Sequence, residues 1–422
     1  MGKKYKWVML ALLSCAFFFH QADRALFGLL TIPIQQELGL TDVQIGWINT
    51  VLSWTLAGMA LVAGPVGDRF SRKWIITCSL IALSLMTFMM GFVGDWRIFG
   101  VLVPAFFVVM FFRSIATGVG ESFYGPCYPP LIAAYHRETR SIALSIHQGA
   151  LYFGLMTSGV ITAWALGFLG SWRHVFMVFG GAGFLLGILF IFALRDTPAA
   201  APATGDRAEG SGFLAGMKRF FKTPTAICAM GGFVAIVFVN NAYLFWAPKY
   251  MAMKFGTSVG TAATQTMLWH HLLAFAAILF GGVLTDRMVR GMPRFRIGFQ
   301  AVSMLCGAPC LVAIGFLPSA AAMLAMTAAY GVFRGFFEVN THATLFDVMP
   351  PRYRSTAVGI FTVVAFLFGG LSGVVMGALS QKYGVRGFEA GFAIMGATYV
   401  VGALLMALAF FFTFRRDRIA EA

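Results

Sequence analysis

The sequence predicts an all-α polytopic membrane protein of twelve transmembrane helices, arranged as two pseudo-symmetric six-helix bundles. Three observations carry that prediction. Of 422 residues, 59% are hydrophobic and only 11% charged, against about 25% charged in soluble domains. Apolar stretches long enough to cross a bilayer, about 20 residues each, follow one another with short polar turns between them. Landmarks of the first half also recur in order in the second. Gly64-Pro-Val-Gly-Asp68-Arg69 returns as Gly282-Val-Leu-Thr-Asp286-Arg287, Arg140-Ser141-Ile-Ala143 as Arg354-Ser355-Thr-Ala357, and Glu121 as Glu338, at offsets of 218, 214 and 217. Such a repeat implies two six-span halves in parallel. Residues 1–194 and 223–422 are the expected bundles, and 195–222, rich in Ala, Pro and Gly with scattered charges, the expected cytoplasmic linker.

In order, the expected spans are 7–34, 42–66, 73–93, 98–134, 140–168, 173–194, 224–250, 258–285, 296–316, 318–346, 354–380 and 387–414. Lys3, Lys4 and Lys6 precede the first as in a signal peptide, but the apolar run is too long and no small-residue cleavage site follows, so a retained span is expected. Thr41 with Gln44 fits a capping box that starts the second span. Pro33, Pro65 and Pro248 mark expected span ends, and Pro126, Pro129 and Pro130 an expected kink or stop in the fourth. Gly369, Gly373 and Gly377 have the small-xxx-small spacing that lets helices approach.

The net charge of +15 would point a soluble protein toward nucleic acid. Here it follows topology. With the termini in the cytoplasm, 22 of the 31 Lys and Arg residues fall on the cytoplasmic side, 6 on the other, and Arg24, Arg113 and Arg334 inside spans. The positive-inside rule selects that orientation, in the plasma membrane, or the inner membrane of a Gram-negative cell. No basic run is interleaved with aromatics as a nucleic-acid groove requires. The six cysteines lie in apolar segments without metal-ligand spacing, and no cofactor motif occurs. Gly256-Thr-Ser258-Val-Gly260 matches GxSxG, but in a short turn without the strand and oxyanion hole that a hydrolase needs. An intramembrane enzyme is not expected.

The charges inside spans carry the functional reading. His20, Asp23 and Arg24, spaced by three and four in the first span, are expected on one side of the helix. A charge at membrane depth costs roughly 2.5 kcal/mol or more, so such residues face a protein interior or a wet cavity. The acids Asp23, Glu121 and Glu338 are candidate proton couplers, because a carboxylate in low dielectric readily takes up a proton. Arg24, Arg113 and Arg334 are candidate substrate ligands, since a guanidinium stays charged and grips an oxyanion in a bidentate fork. Arg334, Glu338 and His342, spaced by four, form a polar stripe on the tenth span. His20, Tyr152, Asn241 and His342 are further candidates for the lining, with His147, His270, His271 and Asn240 beside them.

Gly64 to Lys73, GPVGDRFSRK, resembles the signature loop of the major facilitator superfamily, with Ser71 where Gly is usual. The resemblance extends over essentially the whole chain. It implies alternating access between the two halves, and a gating latch at Asp68, Arg69, Arg72 and Lys73, with Asp286 and Arg287 as its second copy. Within the superfamily, Asp23-Arg24 and Arg113 to Pro126, RSIATGVGESFYGP, resemble the anion:cation symporters of sugar acids and other carboxylates. GDRFSRK and GVGESFY are equally similar to the spinster lysolipid exporters. The symporter branch implies proton sites at Asp23 and Glu121. Both branches place an arginine seven positions before the fourth-span glutamate, whereas Arg113 is eight before Glu121. On a regular helix that extra residue turns Arg113 away by about 100°. The expectation is a monomeric secondary transporter taking a small anionic substrate with protons, without cofactor, or alternatively a lysolipid exporter.

Overall fold

The computed structural model describes residues 4–136, 139–196 and 213–419, apart from the side chains at 64, 65, 68 and 141. The first part runs through α1 (Tyr5–Leu29), α2 (Thr31–Leu38), α3 (Asp42–Arg69), α4 (Arg72–Met89), α5 (Ala105–Val109), α6 (Thr117–Ser122), α7 (Tyr124–Tyr135), α8 (Arg140–Leu169) and α9 (Trp172–Ala193). The second comprises α10 (Phe213–Phe221), α11 (Pro224–Phe255), α12 (Val259–Gly291), α13 (Phe295–Phe316), α14 (Ala320–Glu338), α15 (Thr341–Val348), α16 (Arg354–Gly369), α17 (Ser372–Tyr383), α18 (Val385–Leu408) and α19 (Phe414–Asp417).

Eleven helical stretches among the described residues are long and apolar enough to cross a membrane. The remaining span is α1, 25 residues and so about 37 Å long. It falls short of that apolarity because it carries His20, Gln21, Asp23 and Arg24. Thr41 and Gln44 form the expected capping box at the start of α3.

Several boundaries differ from expectation. The fourth span begins at Ala105 rather than residue 98, because Trp96–Ile98 and Val101–Val103 pair as a short antiparallel hairpin, β1 and β2. Pro33 lies in the first turn of α2, where its missing N–H costs nothing, so the first span breaks at Leu30 instead. Neither Pro65 nor Pro248 ends a helix: α3 continues to Arg69 and α11 to Phe255. Of the expected linker, residues 197–212 lie outside the described set. Its end forms α10, whose Phe220 meets Phe361 of α16 with ring centroids 6.4 Å apart.

By internal contacts the chain divides into two units, residues 1–202 with 244–268, and residues 203–243 with 269–422. Helices α11 and α12 therefore each contribute to both. In the first unit Met9, Leu10 and Leu13 of α1 pack with Ile76, Leu80, Leu131 and Phe190 in one core cluster.

Outside the spans, Glu37 at the end of α2 ties two neighbours together. It accepts from Arg173 Nε at 2.6 Å and Trp172 Nε1 at 2.5 Å, while Arg173 Nη1 donates to the carbonyls of Gly91 and Val93. The hydrogen bond from Arg173 holds the Glu37 carboxyl below the usual carboxylate range. Its contribution is present above the unfolded carboxyl value, about 4.3, and is lost as pH falls through the lower folded value. Because the carboxylate is 47% exposed, Glu37→Gln is expected to cost only about 0.5–1 kcal/mol at pH 7 and progressively less as pH falls below about 4. Melting curves of both proteins across that range check it.

Candidate functional site

The first cluster lies wholly within the first unit. Arg24 Nη1 is 3.5 Å from Glu121 Oε1, and both side chains are largely buried. Asp23 turns elsewhere and accepts a hydrogen bond from Thr87 Oγ1 of α4 at 2.8 Å. The expected single polar side of α1 is thus divided, because consecutive residues point about 100° apart. His20 is 2% exposed, and its ring lies 4.7 Å from that of Tyr124.

Arg113 faces this cluster, contrary to the rotation that its spacing implies on a regular helix. Residues Met110–Ala116 form a π-helical segment, in which hydrogen bonds reach one residue further and a turn takes up an extra residue. The eight-residue spacing to Glu121 is absorbed there. Arg113 Nη2 donates to the Arg24 carbonyl at 2.9 Å, and the guanidinium lies 5.7 Å from the centre of the Phe27 ring. Only 3% of Arg113 is exposed, yet its Nε and Nη1 have no hydrogen-bond partner among the described residues. Leaving such donors unpaired is costly.

Sequence reasoning named His147 but missed the aromatic groups that surround it and support the cluster. Tyr124 donates to the Leu13 carbonyl at 2.8 Å and meets His147 Nε2 at 3.0 Å. The rings of Phe17, Tyr128 and His147 stack beside it. The four-residue spacing of Tyr124 and Tyr128 is the signal that could have found this wall. Thr87 carries no such signal.

The second cluster lies within the second unit. Arg334 Nη2 is 3.1 Å from Glu338 Oε2, and Arg334 Nη1 is 2.9 Å from His270 Nε2 of α12. The His270 ring stacks on Tyr330 at 5.0 Å. The expected stripe is interrupted, because α14 ends at Glu338 and His342 belongs to α15, exposed, with its ring 6.4 Å from Phe233. Gln300 bridges that break, donating to the Phe337 carbonyl and accepting from Thr344. In the first unit α6 likewise stops one residue after Glu121, at Ser122. Asn240, rather than Asn241, lines the cavity beside Arg334; Asn241 and Tyr152 are both buried.

The loop residues are less assembled. The side chain of Asp68 lies outside the described residues. Arg69 and Arg287 are exposed and Arg72 is half-buried, while Lys73 donates to the Ile191 carbonyl at the end of α9 at 2.8 Å. Asp286 is 79% exposed and 4.0 Å from Arg296, which pairs more closely with Asp347 at 2.8 Å.

Membrane-spanning helices that keep carboxylates and guanidiniums paired at depth define a polytopic protein built to handle charge inside a bilayer, the design of a transporter. The family model of the Major Facilitator Superfamily matches residues 12–372. The chain is 24% identical over 432 residues to the probable galactarate/D-glucarate transporter GarP of Escherichia coli, covering 94% of this chain and 93% of that one. It is 26% identical over 373 residues to Protein spinster homolog 1 of Xenopus tropicalis, covering 83% and 68%. The crystal structure of a bacterial homolog of the human lysosomal transporter Spinster, inward-facing and unoccupied, matches over 100% of both chains with a TM-score of 0.84 at 20% identity. That last likeness concerns the fold. The chain belongs to the major facilitator superfamily. It is a multi-pass membrane transporter, not an enzyme.

Proposed function

We propose that this protein is a proton-coupled symporter of a small organic anion, a sugar acid or similar carboxylate, working as a monomer by alternating access of the halves 1–194 and 223–422. The observation that carries the reading is Arg113, a buried guanidinium with two nitrogens that reach no hydrogen-bond partner among the described residues, beside an Arg24 held by Glu121. Two arginines and the carboxylates of Asp23 and Glu121 balance. Entry of an anion would leave one negative charge at membrane depth, and a proton on either carboxylate removes it. Substrate and proton are coupled by that balance. The likeness to a probable galactarate/D-glucarate transporter of Escherichia coli agrees with the carboxylate class. His20 and Tyr152 complete the lining, and Asp68, Arg69, Arg72, Lys73, Asp286 and Arg287 serve the gate. The excess of Lys and Arg on one side supports cytoplasmic termini and the inner membrane of a bacterial cell.

The test is thermal stabilisation of purified protein by sugar acids, other carboxylates, neutral sugars and lysolipids at pH 5.5 and 8, followed by uptake into proteoliposomes. Stabilisation by a carboxylate, lost in Arg24→Ala, and uptake driven by an acid exterior are expected, with Asp23→Asn exchanging substrate but no longer following the pH gradient. Stabilisation by lysolipids alone would overturn the reading in favour of the spinster-like exporter.

A further inference from the structure

The second unit holds a cavity of about 80 Å³ lined by Phe233, Val237 and Asn240 of α11 with Arg334, Glu338 and Thr341. That is room for two or three waters, or for one carboxylate group. Its two charged walls differ. The Arg334 side chain is 5% exposed and that of Glu338 33%, so the acid stands on the open side of the guanidinium. Arginine only donates hydrogen bonds, so His270 Nε2, 2.9 Å from Arg334 Nη1, must accept. His270 is therefore neutral, with its proton on Nδ1. Its ring packs against those of Tyr330 and Tyr243 at 5.0 and 4.5 Å. A ring so committed is a fixed partner of Arg334, and the replaceable partner is Glu338.

We propose that Arg334 is a second oxyanion subsite, capped by Glu338, and that an incoming carboxylate or phosphate oxygen replaces the Glu338 carboxylate on Arg334 as Glu338 takes up a proton. The balance is simple. Arg334 and Glu338 together are neutral, an added anion makes the pair negative, and one proton from water on Glu338 restores it. Protonated Glu338 can then donate its O–H to the ligand that displaced it. The other groups that face Glu338 are Tyr330 on its own helix, Tyr399 of α18, His342 of α15 and Asn240 of α11. Arg334 is the cation among them, and His270 cannot take the proton in place of Glu338 while its Nε2 accepts from Arg334. The role of this subsite in transport rests on the reading proposed above; its occupancy does not.

The experiment is melting of the full chain carrying Arg113→Ala, so that the first cluster does not answer for the second, in detergent with sodium acetate, sodium tartrate or glycerol phosphate, each against sodium chloride of equal ionic strength, at pH 5.5 and 8. In Glu338→Gln, which keeps the shape of the cap without its charge, an oxyanion should raise the melting temperature by about 2–4 °C at both pH values. With Glu338 in place, the same Arg113→Ala chain should respond at pH 5.5 and not at pH 8. The double variant Arg334→Gln/Glu338→Gln should lose the response. A response to acetate or tartrate assigns the site to carboxylates, and one to glycerol phosphate alone assigns it to a phosphate headgroup. No oxyanion response in Glu338→Gln, or a response that survives in the double variant, overturns the proposal and leaves the pair as a fixed lock within its helix. Loss of substrate stabilisation in Arg113→Ala with this response intact keeps the two readings apart.

Discussion

Arg113→Ala is expected to lower substrate affinity and flux by about 10²–10³-fold, while the protein still folds and inserts. The size follows from removing one partner of a buried charge-assisted contact, about 3–5 kcal/mol, at 1.4 kcal/mol for each factor of ten. The fold should tolerate the change because the guanidinium is poorly satisfied: one nitrogen reaches the Arg24 carbonyl and the other two reach no hydrogen-bond acceptor among the described residues. Removing it relieves a cost as well as a contact. Arg113→Lys keeps the charge but not the planar fork, so a smaller loss, about tenfold, is expected. Equilibrium binding and proteoliposome flux for the two variants would measure both. Flux of Arg113→Ala equal to the wild type would mean that Arg113 holds helices together and does not meet substrate.

How far this site was legible in the sequence depends on what a helical period can encode. The landmark repeat located Glu121 and Glu338 at matching places in the two halves, and both lie at or beside a helix end. The capping box of α3 was equally visible, since it needs only local spacing. The orientation of Arg113 was not. A periodic reading assumes a regular helix, and the segment Met110–Ala116 is not one. Partner choice was also hidden. Asp23 and Arg24 are neighbours in sequence and read as one polar side of α1, but the threonine on α4 and the glutamate on α6 separate them. The prolines failed for a third reason: Pro65 and Pro248 are carried inside helices that packing and length sustain. A proline in a span marks a missing hydrogen bond, not necessarily an end.

A second large effect is expected at Lys249, which lies near the end of α11 where that helix contributes to the first contact unit. Its ammonium donates to Asp42 in the first turn of α3 and, at 2.5 Å, to Gln35 Oε1 of α2. Gln35 in turn donates to Asp42 Oδ1 at 2.7 Å. The Lys249 and Asp42 side chains are 9% and 14% exposed, so the clasp is largely shielded from water. Close packing continues beside it: a Cβ on Gly28 would sit 3.1 Å from the Cα of Phe245. Lys249→Met should therefore cost about 2–3 kcal/mol at the junction of α11 with α2 and α3, below the full cost of breaking a wholly buried pair. If this junction opens and closes during transport, that energy bears on the closed form alone. A cysteine placed at Phe245, in a background without the six native cysteines, should then be alkylated about tenfold faster or more. Reversing both charges, Lys249→Asp with Asp42→Lys, should recover most of the protection, because the pair and not either residue makes the clasp. Unchanged alkylation in Lys249→Met would show that apolar packing around Gly28 holds the junction without help from the charges.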